Sequence, residues 1–351
     1  IYLKLKKINL FITGLGNVGS ELLSLIDNNE HSKKANIKII GISNSKNMFF
    51  DNDGIDLSNW KNLLANGKKN NRQEFLNKTI NYKLKNCVFV DNTASETIST
   101  EYADYLNEGI SVVTCNKIAS SSELENYNKL KDISKKNNVS FLYETNVGSS
   151  LPVLETINNL VLSGDKIISV KAILSGSLNY IFNNFKYENT FHNVIDKAKK
   201  LGLTEPDPKI DLSGIDVARK LLIISRESGF QNEINDIEIK SFLPPNKCIE
   251  SNSYNSFYNC IKENNNYFNK KLLSSKQNNT RLKHTAELFS NGRGIISLKE
   301  VENKDEFYNV NDEDNIILIY TKKNKSPIVI KGPGAGGKVT AMGVLNDIIK
   351  V

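Results

Sequence analysis

The chain has 351 residues, room for two domains or one large α/β domain, and a 39% hydrophobic content that supports a real core. No apolar run reaches the ~18 residues of a membrane-spanning helix, and Ile1-Tyr2-Leu3-Lys4-Leu5-Lys6-Lys7 lacks the apolar core and cleavage site of a signal peptide. The net charge of +7 is spread along the chain, with small knots at Lys33-Lys34, Lys68-Lys69 and Lys322-Lys323, which argues against nucleic acid or membrane as a partner.

The four cysteines (Cys87, Cys115, Cys248, Cys260) have no metal-binding spacing, and free thiols in a reducing, cytoplasmic setting are expected. The heavy use of Asn, Lys and Ile blurs periodicity, and no internal repeat is visible.

In chain order, residues 8–13 read as a short buried strand and 20–26 have helical spacing. Between them lies Gly14-Leu15-Gly16-Asn17-Val18-Gly19, a G-x-G-x-x-G in the strand-to-helix context of a dinucleotide site. Gly14 permits the turn, Gly16 lets a pyrophosphate approach, and Gly19 lets the helix pack on the strand; a ligand-free glycine turn is the alternative. The second strand, 37–42, ends in Ser43-Asn44-Ser45-Lys46 with no acid to hold ribose hydroxyls. Ser45 and Lys46 therefore favour NADP(H) over NAD(H), with Lys46 able to pair with a 2′-phosphate unless it is an ordinary surface lysine.

Residues 51–81 read as helix and loop without assignable chemistry. Strands are expected at 87–91, 110–114 and 139–143, helices at 96–107 and 123–137. Thr93 and Lys117 each follow a strand's carboxyl end, where open α/β sheets bind ligands. The first part is thus a doubly wound parallel sheet of Rossmann type.

Glu144 and the carbonyls of 146–152 could bind a hard cation, although a helix-entry loop with Pro152 in its first turn explains them equally. A helix is expected at 153–162, a strand at 167–174, and helices near 193–201 and 211–228. Residues 238–279 are Asn-rich and hard to read; 281–320 look β-rich. Lys331-Gly332-Pro333-Gly334-Ala335-Gly336-Gly337-Lys338 opens a closing helix at 339–349, as a second anion or backbone-approach device or as a plain tight turn.

The densest stretch is Thr204-Glu205-Pro206-Asp207-Pro208-Lys209-Ile210-Asp211-Leu212-Ser213-Gly214-Ile215-Asp216-Val217-Ala218-Arg219-Lys220. Two prolines stiffen the approach, Asp211 and Ser213 are good helix starters, and Asp216 and Lys220 share one face of a largely buried helix. An intrahelical ion pair is the plain reading of that pair.

These motifs resemble the homoserine dehydrogenase family over nearly the whole chain. The likeness rests on the glycine loop at 14–19, Asn116-Lys117, Tyr143-Glu144-Thr145-Asn146-Val147-Gly148, Leu174-Ser175-Gly176-Ser177-Leu178-Asn179-Tyr180, the 205–220 stretch, Gly332-Pro333-Gly334-Ala335-Gly336 and Val339-Thr340-Ala341. It is strongest to the dehydrogenase half of bifunctional aspartokinase–homoserine dehydrogenases, and the missing initial Met fits a part of a longer polypeptide.

The resemblance implies reversible NAD(P)H-dependent reduction of L-aspartate 4-semialdehyde to L-homoserine, on the route to threonine and methionine. It implies Lys220 as acid/base lysine and Lys117 as second catalytic lysine. Substrate contacts would come from Glu205, Asp211, Asp216, Ser175, Gly176 and Ser177. Cofactor contacts would come from Gly14, Gly16, Asn17, Val18, Gly19, Ser45, Lys46, Thr93, Lys117 and Gly336. Glu144, Val147, Ser149 and Leu151 match the family's sodium-like monovalent cation site.

The implied architecture is a Rossmann-type NADP-binding domain at 1–144, completed by 333–351, with an α+β substrate and dimerisation domain at 145–332. A homodimer or higher homo-oligomer, and an attached aspartokinase, are implied partners. This chain departs from relatives at Ile210 and Ile118, where many carry polar residues, and matches poorly over 247–279. The rival readings are another Rossmann amino-acid dehydrogenase and an inactive scaffold; intact Lys117, Asp216 and Lys220 argue against the second.

Overall fold

The computed structural model describes residues 7–28, 36–205, 207–245, 248 and 253–351. The Lys33-Lys34 knot, Pro206, most of the opening residues and part of the Asn-rich stretch lie outside the described residues. The chain divides into two units, Ile1–Ser150 with Gly336–Val351, and Leu151–Ala335.

The first unit is built on a seven-stranded sheet. Its strands are β1 (Ile8–Thr13), β2 (Ile37–Ser43), β3 (Asn47–Phe50), β4 (Lys68–Lys69), β5 (Cys87–Asp91), β6 (Ser111–Thr114) and β7 (Phe141–Leu142), in the order β4-β3-β2-β1-β5-β6-β7. The strands from β2 to β7 through β1, β5 and β6 are parallel. From β1 the chain first builds outward to β2 and later returns to β5 on the other side, so the crevice at their carboxyl ends is a topological switch point.

The doubly wound parallel sheet expected from the sequence is present, and one edge extends it. Residues 47–50 and 68–69 add two antiparallel edge strands. The Asn44 side chain makes the reversal, accepting from the backbone N–H of Lys46 (2.8 Å) and of Asn47 (2.7 Å). An Asx turn of this kind turns the chain without glycine. The expected helix at 96–107 is two short ones, Glu96–Thr100 and Tyr102–Asn107.

Both sheet faces are covered, which is why Leu10-Phe11-Ile12 of β1 and Val88-Phe89-Val90 of β5 are apolar without alternation. On one face Leu10 and Ile12 meet Leu22, Leu23 and Ile26 of the Asn17–Asn28 helix and Val344 and Ile348 of the Gly337–Lys350 helix. On the other, Phe11, Phe50, Phe75 and Phe89 form a chain of ring contacts that ends on Tyr102 and Tyr105.

The second unit carries β8 (Ile167–Ile173), β9 (Ile237–Lys240), β10 (Arg281–Leu288), β11 (Gly294–Val301), β12 (Asp314–Thr321) and β13 (Ile328–Pro333). They form one sheet, β13-β12-β8-β10-β11-β9, antiparallel except for β9 beside β11. Helices pack on it in an α+β arrangement.

The Asn-rich stretch holds two helices, Tyr254–Glu263 and Asn265–Gln277. Phe257 and Ile261, one turn apart, are buried with Phe268, and Phe268 stacks on Phe191 with centroids 4.1 Å apart. A few well-placed apolar residues suffice there because neighbouring helices supply the rest of the core. Among the described residues, no helix is long and apolar enough to cross a membrane.

The cysteine expectation is corrected as well. Cys248 and Cys260 are bridged, with Cα atoms 5.4 Å apart, while Cys87 and Cys115 are free. Spacing alone cannot reveal a pair brought together by a helix and the segment before it. Thiol titration of the denatured, unreduced chain is expected to count two thiols, and four after reduction. Four without reduction would contradict the bridge.

Candidate active site

The glycine loop of the first unit has the backbone its sequence calls for. Gly14 has φ +90°, and a Cβ there would lie 2.6 Å from the Thr93 methyl and 2.8 Å from the Asn92 carbonyl carbon. Gly19 packs so closely that a Cβ would lie 2.1 Å from the Gly14 carbonyl oxygen. Gly16 is different: a Cβ there would meet nothing within 4 Å. The loop is therefore tight toward the protein at Gly14 and Gly19 and open at Gly16, the shape a pyrophosphate over a helix N-terminus requires.

The glycine segment before the closing helix comes to the same place. Gly336 has φ +116°, and a Cβ on Gly337 would sit 3.5 Å from the Asn17 Cβ. The structure thus brings Gly14, Gly16, Asn17, Val18, Gly19, Thr93 and Gly336 around one loop. Ser45 and Lys46 lie apart from that loop in sequence, in the turn between β2 and β3.

Two loops at the carboxyl edge of the sheet carry the remaining candidates. Thr93 donates its backbone N–H to Asp91 Oδ1 (2.8 Å). Asn116 donates from Nδ2 to Asp91 Oδ2 (3.1 Å) and to the Ser95 carbonyl (2.9 Å). Lys117 follows, half-buried. Its carbonyl accepts from the Ser121 N–H (3.0 Å) and from the hydroxyls of Ser120 (3.1 Å) and Ser121 (2.7 Å), so the lysine's backbone is held firmly.

Sequence reading misses two groups here. Asp91 and Tyr102 are fully buried; burial, with Asp91 beside it, raises the Tyr102 phenol well above its ordinary value. Arg72 pairs with Glu101 through one guanidinium edge, Nε to Oε1 (3.0 Å) and Nη2 to Oε2 (2.5 Å), and donates from Nη1 to Thr13 Oγ1 (3.0 Å) at the end of β1.

The cation candidates in the first unit lie on a twisted segment. Gly148 (φ 76°) and Ser149 (φ 55°) are both left-handed, and the Ser149 carbonyl oxygen would lie 2.9 Å from a Cβ on Gly343. Asn146 is buried, donates to Ser120 Oγ (2.6 Å) and leaves its own Oδ1 without a hydrogen-bond partner. Glu144 and the Val147 carbonyl are on the same segment, whereas Leu151 opens the second unit. Among the described residues, no cluster of three His, Cys, Asp or Glu side chains could hold a metal, so a cation there would depend on carbonyl oxygens, as hard ions accept.

In the second unit the dense stretch folds as two helices, not one. Asp207 caps the first, Pro208–Ser213, by accepting from the Lys209 N–H (3.0 Å). Gly214 (φ 78°) interrupts the helix, and Ile215–Glu227 follows. Glycine takes that left-handed conformation without penalty. Ser213 does help start the second helix, accepting from the Ile215 N–H (3.2 Å). Asp211 does not cap; it sits inside the first helix.

Its carboxylate instead accepts from Ser177 Oγ (2.7 Å) and from the Glu205 N–H (2.9 Å). Ser177 Oγ is 2.9 Å from Ser175 Oγ, and Ser175 caps the Gly176–Asn184 helix. Burial, opposed by these bonds and assisted by the nearby Glu205 and Asp216 charges, raises the Asp211 pKa. Gly176 is confined as well: a Cβ there would lie 2.7 Å from the Glu313 carbonyl oxygen.

Lys220 is the best-held cation of this unit's candidates. Its Nζ donates to the Leu174 carbonyl at 2.8 Å and pairs with Asp216 at 2.8 Å. The lysine side chain is 12% exposed and the aspartate 38%. The ion-pair reading is thus correct but incomplete, since a strand-end carbonyl fixes the ammonium from a second side. Leu174 as that acceptor has no sequence signal. The unit therefore sets one oriented ammonium and several carboxylates beside a serine-capped helix N-terminus, an arrangement suited to a small zwitterion whose oxygen gains or loses a proton.

A homoserine dehydrogenase family model matches residues 152–349, and a model of the homoserine dehydrogenase NAD-binding domain matches residues 14–144. The chain is 39% identical, over its full length, to 43% of the bifunctional aspartokinase/homoserine dehydrogenase of Buchnera aphidicola. It is 32% identical to the homoserine dehydrogenase of Schizosaccharomyces pombe, covering 98% of this chain and 95% of that one. The chain thus spans less than half the length of the bifunctional relatives it matches.

Among solved structures, a Candida auris protein of unknown function superposes with a TM-score of 0.89 at 31% identity, covering 98% of each chain. A hyperthermophilic archaeal homoserine dehydrogenase in complex with NADPH superposes with a TM-score of 0.76 at 24% identity, covering 98% of this chain and 97% of that one; at that identity the likeness speaks for the fold.

Proposed function

The chain belongs to the homoserine dehydrogenase family, and from that premise we propose that it catalyses reversible reduction of L-aspartate 4-semialdehyde to L-homoserine with NADPH. The observation that carries the reading is Lys220, whose ammonium is fixed between the Leu174 carbonyl and Asp216.

The first unit would hold the cofactor and the second the substrate. The open face at Gly16, beside Asn17 and the Gly336 segment, fits a pyrophosphate. A bound reduced nicotinamide supplies the hydride. Lys220 would give a proton to the oxygen that gains charge as the aldehyde is reduced, and take it back in the oxidation direction. Asp216 keeps that ammonium oriented. Glu205 and Asp211, with Ser177 between Asp211 and Ser175, would receive the substrate's amino group, and Lys117 would add positive charge from its own loop.

NADP over NAD is proposed on Lys46, which follows β2 with no acid at the strand's end. A monovalent cation at Glu144 and the carbonyls of Val147, Ser149 and Leu151 is proposed on the left-handed turn and the unpartnered Asn146 Oδ1. Homo-oligomerisation, a cytoplasmic setting and an attached aspartokinase accompany the family reading as proposals.

Homoserine oxidation by the purified chain, followed with NADP and NAD in sodium and in tetramethylammonium buffers, tests these points together. Turnover is expected to be faster with NADP and in sodium. Lys46→Ala is expected to raise KM for NADP about tenfold while leaving KM for NAD unchanged, the loss of one charge-assisted phosphate contact. Faster turnover with NAD would overturn the 2′-phosphate assignment, and equal rates in both buffers would overturn the cation.

A further inference from the structure

Asp91 ends β5 at the switch point of the first unit's sheet and is fully buried. Its two oxygens are divided between the loops that carry Thr93 and Lys117. Oδ1 accepts from the Thr93 N–H (2.8 Å). Oδ2 accepts from the Tyr102 hydroxyl (2.6 Å) and from Asn116 Nδ2 (3.1 Å).

Both loops have little slack beyond these bonds. The Thr93 methyl closes over Gly14, so the Thr93 loop also backs the turn of the glycine motif. Asn116 Oδ1 accepts from the Ile118 N–H (3.1 Å), so the Asn116 side chain spans the residue between, Lys117. The Tyr102 hydroxyl lies 2.9 Å from Thr114 Oγ1, which in turn donates to the Asp91 carbonyl (3.0 Å) and accepts from the Asn116 N–H (2.9 Å). Burying a carboxylate is costly, and an apolar residue would serve the core as well, so its presence here asks for a task that packing does not perform.

We propose that Asp91 is a positioning residue that sets the Thr93 and Lys117 loops in one register, so that the cofactor contact and the second lysine are aligned together. This rests on the dehydrogenase reading above. Asp91 touches neither substrate nor cofactor in this role; it acts through Asn116 and Thr93.

Asp91→Asn separates the two arms. An amide keeps one acceptor for the Thr93 N–H but sets a donor against Asn116 Nδ2, while the Tyr102 hydroxyl can rotate to accept. The variant is expected to lose about tenfold or more in kcat, as a displaced catalytic group does, with KM for NADP within about twofold of the parent. Asn116→Ala cuts the same contact from the other side without a new buried donor and is expected to lower kcat alike, which keeps the test alive if Asp91→Asn does not fold.

Amide hydrogen exchange gives a readout independent of turnover. Residues 116–121 are expected to exchange faster in Asp91→Asn and Asn116→Ala, with 92–95 unchanged. A folded Asp91→Asn with parental kcat and exchange would overturn the proposal. A parent chain without turnover would instead count against the dehydrogenase reading, and the exchange pattern would still decide the role of Asp91.

Discussion

Lys220→Met is expected to lower kcat for homoserine oxidation about a thousandfold while the chain still folds. Methionine keeps most of the buried length of the side chain, so packing on the Ile215–Glu227 helix changes little. The loss is the ammonium. The Leu174 carbonyl forfeits its 2.8 Å donor, a cost of about 1–2 kcal/mol in stability when a buried acceptor goes unpaired. Asp216, at 38% exposure, can turn to water. In the proposed reaction the proton delivered to the reacting oxygen comes from this ammonium, and a positioned acid or base contributes about 10²–10⁴-fold. Steady-state kinetics beside a melting curve checks both halves. A variant within tenfold of the parent would remove Lys220 from the chemistry.

Gly16→Ala is the second large effect, and it isolates the cofactor. A Cβ at Gly16 meets nothing within 4 Å, so the variant is expected to fold with a parental melting temperature. The new methyl occupies the space a pyrophosphate would take against the backbone, and KM for NADP is expected to rise about a hundredfold or binding to be lost. Gly19→Ala provides the contrast: its Cβ would meet the Gly14 carbonyl oxygen at 2.1 Å, so that variant should lose stability before it loses affinity. Parental KM in a folded Gly16→Ala would contradict the loop's assignment.

These two positions also mark what residue identities alone make legible. Gly14, Gly16 and Gly19 announce themselves because a backbone that must bend, open and pack in six residues leaves glycine little competition. The buried strands 8–13 and 87–91 are equally visible, since a parallel strand covered on both faces is mostly apolar, as Leu10-Phe11-Ile12 and Val88-Phe89-Val90 are. The Asp216–Lys220 pair follows from helical spacing.

The features that sequence hides all depend on partners distant along the chain. The strand at 47–50 stands behind an Asn-driven turn with no glycine. The break at Gly214 is masked because helical spacing of apolar residues continues across it. Asp91 lies at the end of an apolar strand and reads as its polar stop; its bonds to Tyr102 and Asn116 exist only once three elements assemble. The Leu174 carbonyl that holds Lys220 is backbone and leaves no trace in residue identity. The Cys248–Cys260 bridge likewise ends on a helix that the Asn-rich composition conceals.

The central claim is hydride transfer between homoserine and a nicotinamide cofactor by this chain. It is tested most directly with L-homoserine deuterated at the carbon bearing the hydroxyl, incubated with NADP and the purified chain, with the reduced cofactor read by mass spectrometry. Deuterium is expected in the NADPH, formed about a thousandfold more slowly when Lys220→Met replaces the parent. Reduced cofactor without the label, or no reduced cofactor from a folded parent chain, would contradict it.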